Sequence, residues 1–119
     1  MELQPLAAGS ATVLRPAGRI DHTHADAFKI SLDPYLSQCT ADGTRLVIDF
    51  TDISYISSIG LRALMLAIKQ VKAQRGRMVL SGLTPQVQEV FKISRFDMLF
   101  EIFPDSDAAL AALAEGSPA

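Results

Sequence analysis

The stretch DFTDISYISSIGLR, running from Asp49 to Arg62, decides how the rest of the chain is read. It opens at the end of an apolar run, Arg45-Leu46-Val47-Ile48-Asp49-Phe50. A strand covered on both faces needs no polar alternation, so this run predicts a buried, parallel strand. A second, alternating stretch follows at Ile53-Ser54-Tyr55-Ile56. Two serines then open a helix expected from about Ser58 to Gln74. Leu61, Leu64, Met65, Ile68 and Val71 share one of its faces. Lys72 and Arg75 suit the negative end of its dipole, and Gly76 ends it.

On the N-terminal side, Ala11 to Ala17 reads as a strand with Pro16 near its end, a residue confined to edges and bulges. A shorter strand at Glu2 to Leu6 would join it through the turn-forming Gly9-Ser10. Thr23 is expected to cap a helix reaching about Gln38, with Phe28, Leu32, Tyr35, Leu36 and Cys39 on one face. Pro34 lies inside that helix and predicts a kink or an early end. On the C-terminal side, Met78-Val79-Leu80 is a strand. Thr84-Pro85 supplies a cap and a first-turn proline for a third helix carrying Val87, Val90, Phe91 and Ile93. Phe100 to Phe103 is a last strand, and Asp105 to Ala114 a final helix. Strands alternating with helices predict an α/β architecture: a small, mixed, mostly parallel β-sheet with about four helices. A length of 119 residues predicts one domain over 1–119, loose at its first residues and from about residue 112 onward.

Composition narrows the function classes. A net charge of −2 gives no bulk attraction to nucleic acid or anionic lipid. No apolar run approaches the roughly 18 residues of a membrane span, so direct membrane insertion is not expected. The N-terminus lacks the charge and apolar run of a secretory signal, which predicts a cytoplasmic protein. The single cysteine, Cys39, cannot form an intramolecular disulfide or a Cys-rich zinc site, and its place on a helix face predicts buried filler. His22 and Asp26 stand one helical turn apart and could share an ion, but a polar helix start is the simpler reading. Neither G-x-G-x-x-G nor a phosphate-binding loop occurs. The cations Lys69, Lys72, Arg75 and Arg77 gather at one helix end without interleaved aromatics, which reads as a solvated surface. No metal and no cofactor is expected.

The serine pair carries the chemistry. Ser57 or Ser58 falls where unpaired backbone N–H groups gather at a helix N-terminus, a position that suits a capping oxygen and also a phosphate. On spacing alone Ser58 reads as an N-cap worth about 1 kcal/mol. As a hydrolase nucleophile it has half a motif: Gly60 stands two residues after it, but Ile56 occupies the place of the preceding glycine. An acyl-transfer enzyme built on this serine is therefore not expected. Helical geometry sets Ile59, Ala63 and Leu66 opposite the apolar face, and such a stripe left exposed would be a docking surface.

These residues resemble the signature of STAS domains, specifically the single-domain anti-sigma factor antagonists. The long match is DFTDISYISSIGL; Gly18-Arg19-Ile20-Asp21 and Gly82-Leu83-Thr84-Pro85-Gln86-Val87, followed by Val90-Phe91 and Phe96, are shorter ones in the family's order. The family's common Asp before the serine is replaced by Ser57, and its small residue after it by Ile59. The resemblance implies partner switching. The unphosphorylated antagonist binds an anti-sigma factor serine kinase, phosphorylation of one serine releases it, and a metal-dependent serine phosphatase restores it. That serine corresponds to Ser58, with Ser57 the alternative. Asp21, Ser57, Ile59, Gly60, Leu61, Arg62 and Leu66 are the expected partner surface, Leu66 from helix geometry alone. A second possibility within the family is an adaptor subunit of a membrane-transport or lipid-trafficking complex in which the serine is silent.

Overall fold

In the computed structural model, which describes residues 1–114, the Leu46-Val47-Ile48 run forms the middle strand of the sheet. In chain order the first elements are β1 (Leu6–Ala8), β2 (Ala11–Leu14), β3 (Gly18–Ile20), α1 (Ala25–Gln38), β4 (Arg45–Asp49) and β5 (Ile53–Ile56). Then come α2 (Ser58–Ala73), β6 (Met78–Ser81), α3 (Pro85–Ile93), β7 (Ile102–Phe103) and α4 (Ser106–Ala114), with a 3-10 turn at Phe96–Met98 before β7. The main sheet has the order β1-β2-β4-β6-β7, and β3 pairs with β5 in a separate two-stranded sheet. Among the described residues only the β1–β2 hairpin is antiparallel. This is the expected mixed, mostly parallel α/β fold with four α-helices among the described residues.

The middle strands read as continuous apolar runs because both faces are covered. Leu46, Ile48 and Leu80 join a core with Phe28 of α1, Leu64 of α2 and Val87 of α3. Val47 and Val79 point the other way and pack with Ala109 and Leu113 of α4. Cys39 is buried against this framework, its Sγ 3.3 Å from the Arg77 carbonyl, and burial pushes its thiol pKa up.

Several local expectations change. The first strand is Leu6–Ala8, not Glu2 to Leu6, because it pairs with β2 through the tight Gly9-Ser10 turn. The second stops at Leu14, ahead of Pro16, and the chain then starts β3, a strand too short for its sequence to announce. Thr23 does not cap α1: its hydroxyl donates to Asp21, whose Oδ1 also accepts the His24 backbone N–H. α1 runs through Pro34 without a break. Pro34 and Ile30 are both exposed, so the carbonyl freed by the proline can be hydrated instead of buried. α2 ends at Ala73, and the left-handed residue after it is Arg75 (φ 61°), not Gly76. Gly76 is required for a different reason: a Cβ there would overlap the Cys39 carbonyl. The last strand is shorter than Phe100 to Phe103, and Ile93 is exposed instead of joining the α3 core face. Residues 112–114 of the expected loose tail are helical, and residues 115–119 lie outside the described residues.

One buried polar group ties the sheet to α4. Asp49 is 2% exposed; its Oδ1 accepts from the Thr51 backbone N–H and hydroxyl, and its Oδ2 accepts from Ser106 Oγ at 2.7 Å. The Arg15 guanidinium lies 3.2 Å from Oδ2. Burial would raise the Asp49 pKa, but the Thr51 and Ser106 hydrogen bonds and the Arg15 charge outweigh it and hold the carboxyl below its usual value. A depressed folded pKa adds stability that is complete above the unfolded value of about 3.9 and is lost as pH falls through the folded pKa. Asp49→Asn is therefore expected to lower stability by about 1–3 kcal/mol at neutral pH. Urea unfolding at neutral pH and at about pH 3 checks this, since the gap between the two proteins should narrow in acid.

Candidate functional site

The two-stranded sheet exists to bring two strand ends together. β3 and β5 run parallel, with Ile20 beside Ile56, so Asp21 and Ser57 leave the same edge. Both isoleucines are buried and anchor that edge to the core. Ser57 is then fixed from three directions. Its backbone N–H donates to the Ile20 carbonyl at 2.9 Å, its hydroxyl donates to the same carbonyl at 3.2 Å, and that hydroxyl accepts from the Gly60 N–H at 3.1 Å. Ser57, not Ser58, is the N-cap of α2.

That correction separates the two serines. Ser57 is half-buried, with its oxygen committed as donor and acceptor. Ser58 is the first helical residue, exposed, and its hydroxyl has no hydrogen-bond partner among the described residues. The Ser58 and Ile59 amides have no acceptor within the helix, as the first turn requires. A hydrolytic serine would need a general base within hydrogen-bond reach. No described side chain hydrogen-bonds the Ser58 hydroxyl, and the His24 ring is held by Asp21 at 2.7 Å. Ser57→Ala should cost about 1 kcal/mol of stability. Ser58→Ala should cost no more than about 0.5 kcal/mol, and thermal unfolding of the two variants distinguishes them.

Gly60 explains why the helix can start so close to β3. A Cβ there would stand 2.7 Å from the Ile20 carbonyl oxygen, 2.8 Å from Ile56 Cγ1 and 2.9 Å from Ile20 Cγ2. Gly60 and Leu61 are therefore interior, and of the expected partner surface these two shape the site without facing outward. Ala63 is interior as well, part of the main core. Ile59 and Leu66 remain 49% exposed, and Arg62 is exposed beside them. The outer stripe of α2 is thus narrower than helix geometry alone implied, but its two large apolar residues face solvent.

Asp21 flanks the same edge. Its Oδ1 accepts from Thr23 Oγ1 at 2.7 Å and pairs with His24 Nδ1. The Thr23 and His24 hydrogen bonds hold its pKa far below the usual carboxylate range. It is therefore a fixed negative charge about a strand end away from the α2 cap. His22 and Asp26 are exposed, and His24 is the histidine that contacts the carboxylate. Sequence reasoning missed a neighbour: the Arg19 guanidinium lies 4.3 Å over the Tyr55 ring and 3.9 Å from Asp21 Oδ2. Both side chains point outward from the small sheet, and only the pairing of β3 with β5 brings them together.

Comparison with known proteins bears on this arrangement. The profile of the STAS domain family matches residues 4–109. BtrV of Bordetella bronchiseptica, provisionally assigned as an anti-sigma factor antagonist, is 42% identical over 74 residues, 62% of this chain and 64% of that one. The chain thus spans just under two thirds of that relative. The anti-sigma-B factor antagonist of Listeria monocytogenes is 33% identical over 86 residues, 72% of this chain and 73% of that one. Among solved structures, unphosphorylated SpoIIAA, an anti-sigma factor antagonist, superposes with a TM-score of 0.76 at 19% identity, covering 97% of this chain and 98% of that one. The phosphorylated form of SpoIIAA from Bacillus superposes with a TM-score of 0.67 at 19% identity, over 92% and 97% of the two chains. At that identity the structures speak for the fold, and the family profile extends over most of the sequence. The chain belongs to the STAS domain family.

Proposed function

We propose that this STAS domain is an anti-sigma factor antagonist in a partner-switching pathway. Unphosphorylated, it binds an anti-sigma factor that is also a serine kinase. Phosphorylation of Ser58 releases it, and a metal-dependent serine phosphatase resets it. The observation that carries this reading is the division of labour between the two serines: Ser57 is used up as the helix cap, which leaves the Ser58 hydroxyl free, exposed and bordered by Ile59. The antagonist names of the Listeria and Bordetella relatives support it, as does the existence of a phosphorylated form of SpoIIAA.

The physics of the switch follows from the position. A phosphate adds about −1.5 to −2 charge at neutral pH. At a helix N-terminus the dipole favours an anion by about 0.3–1 kcal/mol, so the fold tolerates it. Across an interface a like charge costs several kcal/mol, and every 1.4 kcal/mol is about tenfold in affinity. The phosphate therefore acts on binding far more than on stability. On this reading the chain is not itself an enzyme: the kinase and the phosphatase supply the bond-making and bond-breaking groups. Among the described residues no helix is long and apolar enough to cross a membrane. A cytoplasmic location, with the kinase and its ATP, fits the proposal.

The test is phosphopeptide mapping by mass spectrometry after incubation with the host's serine-kinase anti-sigma factor and Mg-ATP. A single phosphoryl group on Ser58, absent from Ser58→Ala, is the expected result. Modification at Ser57, or none with an active kinase, would sink the assignment.

A further inference from the structure

We propose that the turn from α3 to β7, at the far end of α2 from Ser58, is a docking site for an acidic segment of a partner protein, anchored by one large apolar side chain. Ile93 and Met98 are 80% exposed, and Leu99 is exposed beside them. Single apolar residues in water need no explanation, but three within seven residues form a patch. The turn is built to hold them there. Phe96 and Phe100, on either side of Met98-Leu99, pack on the buried Phe91 with ring centroids 6.4 and 6.1 Å away. Arg95 starts the turn in a left-handed backbone conformation (φ 61°) that favours glycine. Two aromatic anchors thus fix the backbone that carries Met98 and Leu99, so little order is lost when a partner binds.

Shape and charge select the occupant. Met98 and Leu99 border a concavity of about 270 Å³ whose lining includes the buried Ile68, Met78 and Phe100. Sites for whole small molecules run to roughly 300–1,000 Å³, so this one suits a single large side chain, with Met98 as an adaptable wall. Its charged lining is Lys72 and the Arg77–Glu101 pair. The stretch from Lys69 to Glu101 holds six of the chain's eleven Lys and Arg residues and three of its thirteen acidic ones. A chain of net charge −2 therefore carries +3 here and −5 elsewhere. Lys72, Arg75 and Arg95 are exposed and form no ion pair among the described residues. Such cations attract carboxylates on either side of the apolar anchor and repel a basic segment. An anionic bilayer would match the charge but leave the concavity unfilled, so a protein segment is the occupant. Lys72 lies about 21 Å along α2 from Ser58, more than two Debye lengths at physiological salt. Binding here is therefore indifferent to a phosphate on that serine.

The probe is a library of random peptides displayed on phage, selected on the wild-type chain and counter-selected on Lys72→Glu/Met98→Asp. Both replaced side chains are exposed, and the variant should melt with wild type. If it melts lower, Met98→Asp alone takes its place. Enriched peptides should share one Leu, Ile, Met or Phe flanked by Asp or Glu. A synthetic peptide of that sequence, titrated into the labelled chain, should shift the amide resonances of Lys72, Met98, Leu99 and Phe100. It should bind the counter-selection variant at least about tenfold more weakly, lose affinity as salt rises, and bind Ser58→Asp as it binds wild type. No peptide that distinguishes wild type from the variant, a basic or uncharged consensus, or shifts confined to other elements would overturn the site. So would binding to phosphatidylglycerol-containing vesicles in place of peptides, which would assign the surface to a membrane. A peptide that binds Ser58→Asp more weakly than wild type would contradict the separation of this surface from the serine, and the partner-switching reading stands or falls on its own phosphorylation test.

Discussion

Ser58→Asp is expected to weaken binding to the kinase partner by about tenfold or more, while leaving thermal stability unchanged or slightly raised. The two effects have opposite signs because they come from different surroundings of one atom. Within the domain, an added carboxylate at the first residue of α2 meets the positive end of the helix dipole, a gain of about 0.3–1 kcal/mol. Ser58 is exposed and its hydroxyl has no partner among the described residues, so nothing internal is broken. At the interface the same charge arrives against a surface that fits an uncharged serine, and about 1.4 kcal/mol of repulsion suffices for tenfold. A substitution that acted by loosening the fold would lower stability and affinity together. Calorimetric titration with the kinase, beside a melting curve, separates the two cases. Ser58→Ala should bind at least as well as wild type and resist release by ATP.

Gly60→Val is expected to be the most damaging single change at the site, costing about 3 kcal/mol and lowering the melting temperature by about 10 °C or more. The Cβ would press on the Ile20 carbonyl oxygen at 2.7 Å, and that oxygen already accepts from the Ser57 N–H and hydroxyl. The carbonyl cannot retreat without releasing the helix cap. Ile20 and Ile56, the other two contacts, are fully buried and have no room to turn. Gly60→Ala should be milder, because alanine recovers up to about 1 kcal/mol of helix propensity over glycine. The ordering Val worse than Ala is itself a check. If Gly60→Val melted like wild type, the close approach of α2 to β3 would not be a constraint on this fold.

Much of this fold was legible in the sequence because burial leaves a periodic mark. Leu46-Val47-Ile48 has no polar alternation, and the strand is indeed covered on both faces. The Leu61, Leu64, Met65, Ile68 and Val71 spacing is the mark of a half-buried helix, and all of them but the half-buried Met65 lie on the interior side of α2. What the sequence hid depends on contacts made far along the chain. Ser57 and Ser58 are chemically the same and adjacent; the Ile20 carbonyl, 37 residues before Ser57, decides which one is the cap. β3 spans three residues with one buried, too short for any alternation, and exists through its pairing with β5. The Arg19–Tyr55 stack follows from that pairing and has no signal of its own. Pro34 misled because its cost depends on whether the freed carbonyl is buried, and here that side of α1 faces water. Gly60 and Leu61 were grouped with the surface because motif position says nothing about which way a residue faces.

The most direct test of the switch compares the affinities of two forms of the same chain for the host's serine-kinase anti-sigma factor: unphosphorylated, and phosphorylated stoichiometrically on Ser58. The phosphorylated form should bind about a hundredfold or more weakly, with the far-ultraviolet circular dichroism of the two forms superimposable. Equal affinity of the two forms, or a loss of binding accompanied by loss of helical signal, would contradict a switch that works by charge at an intact helix N-terminus.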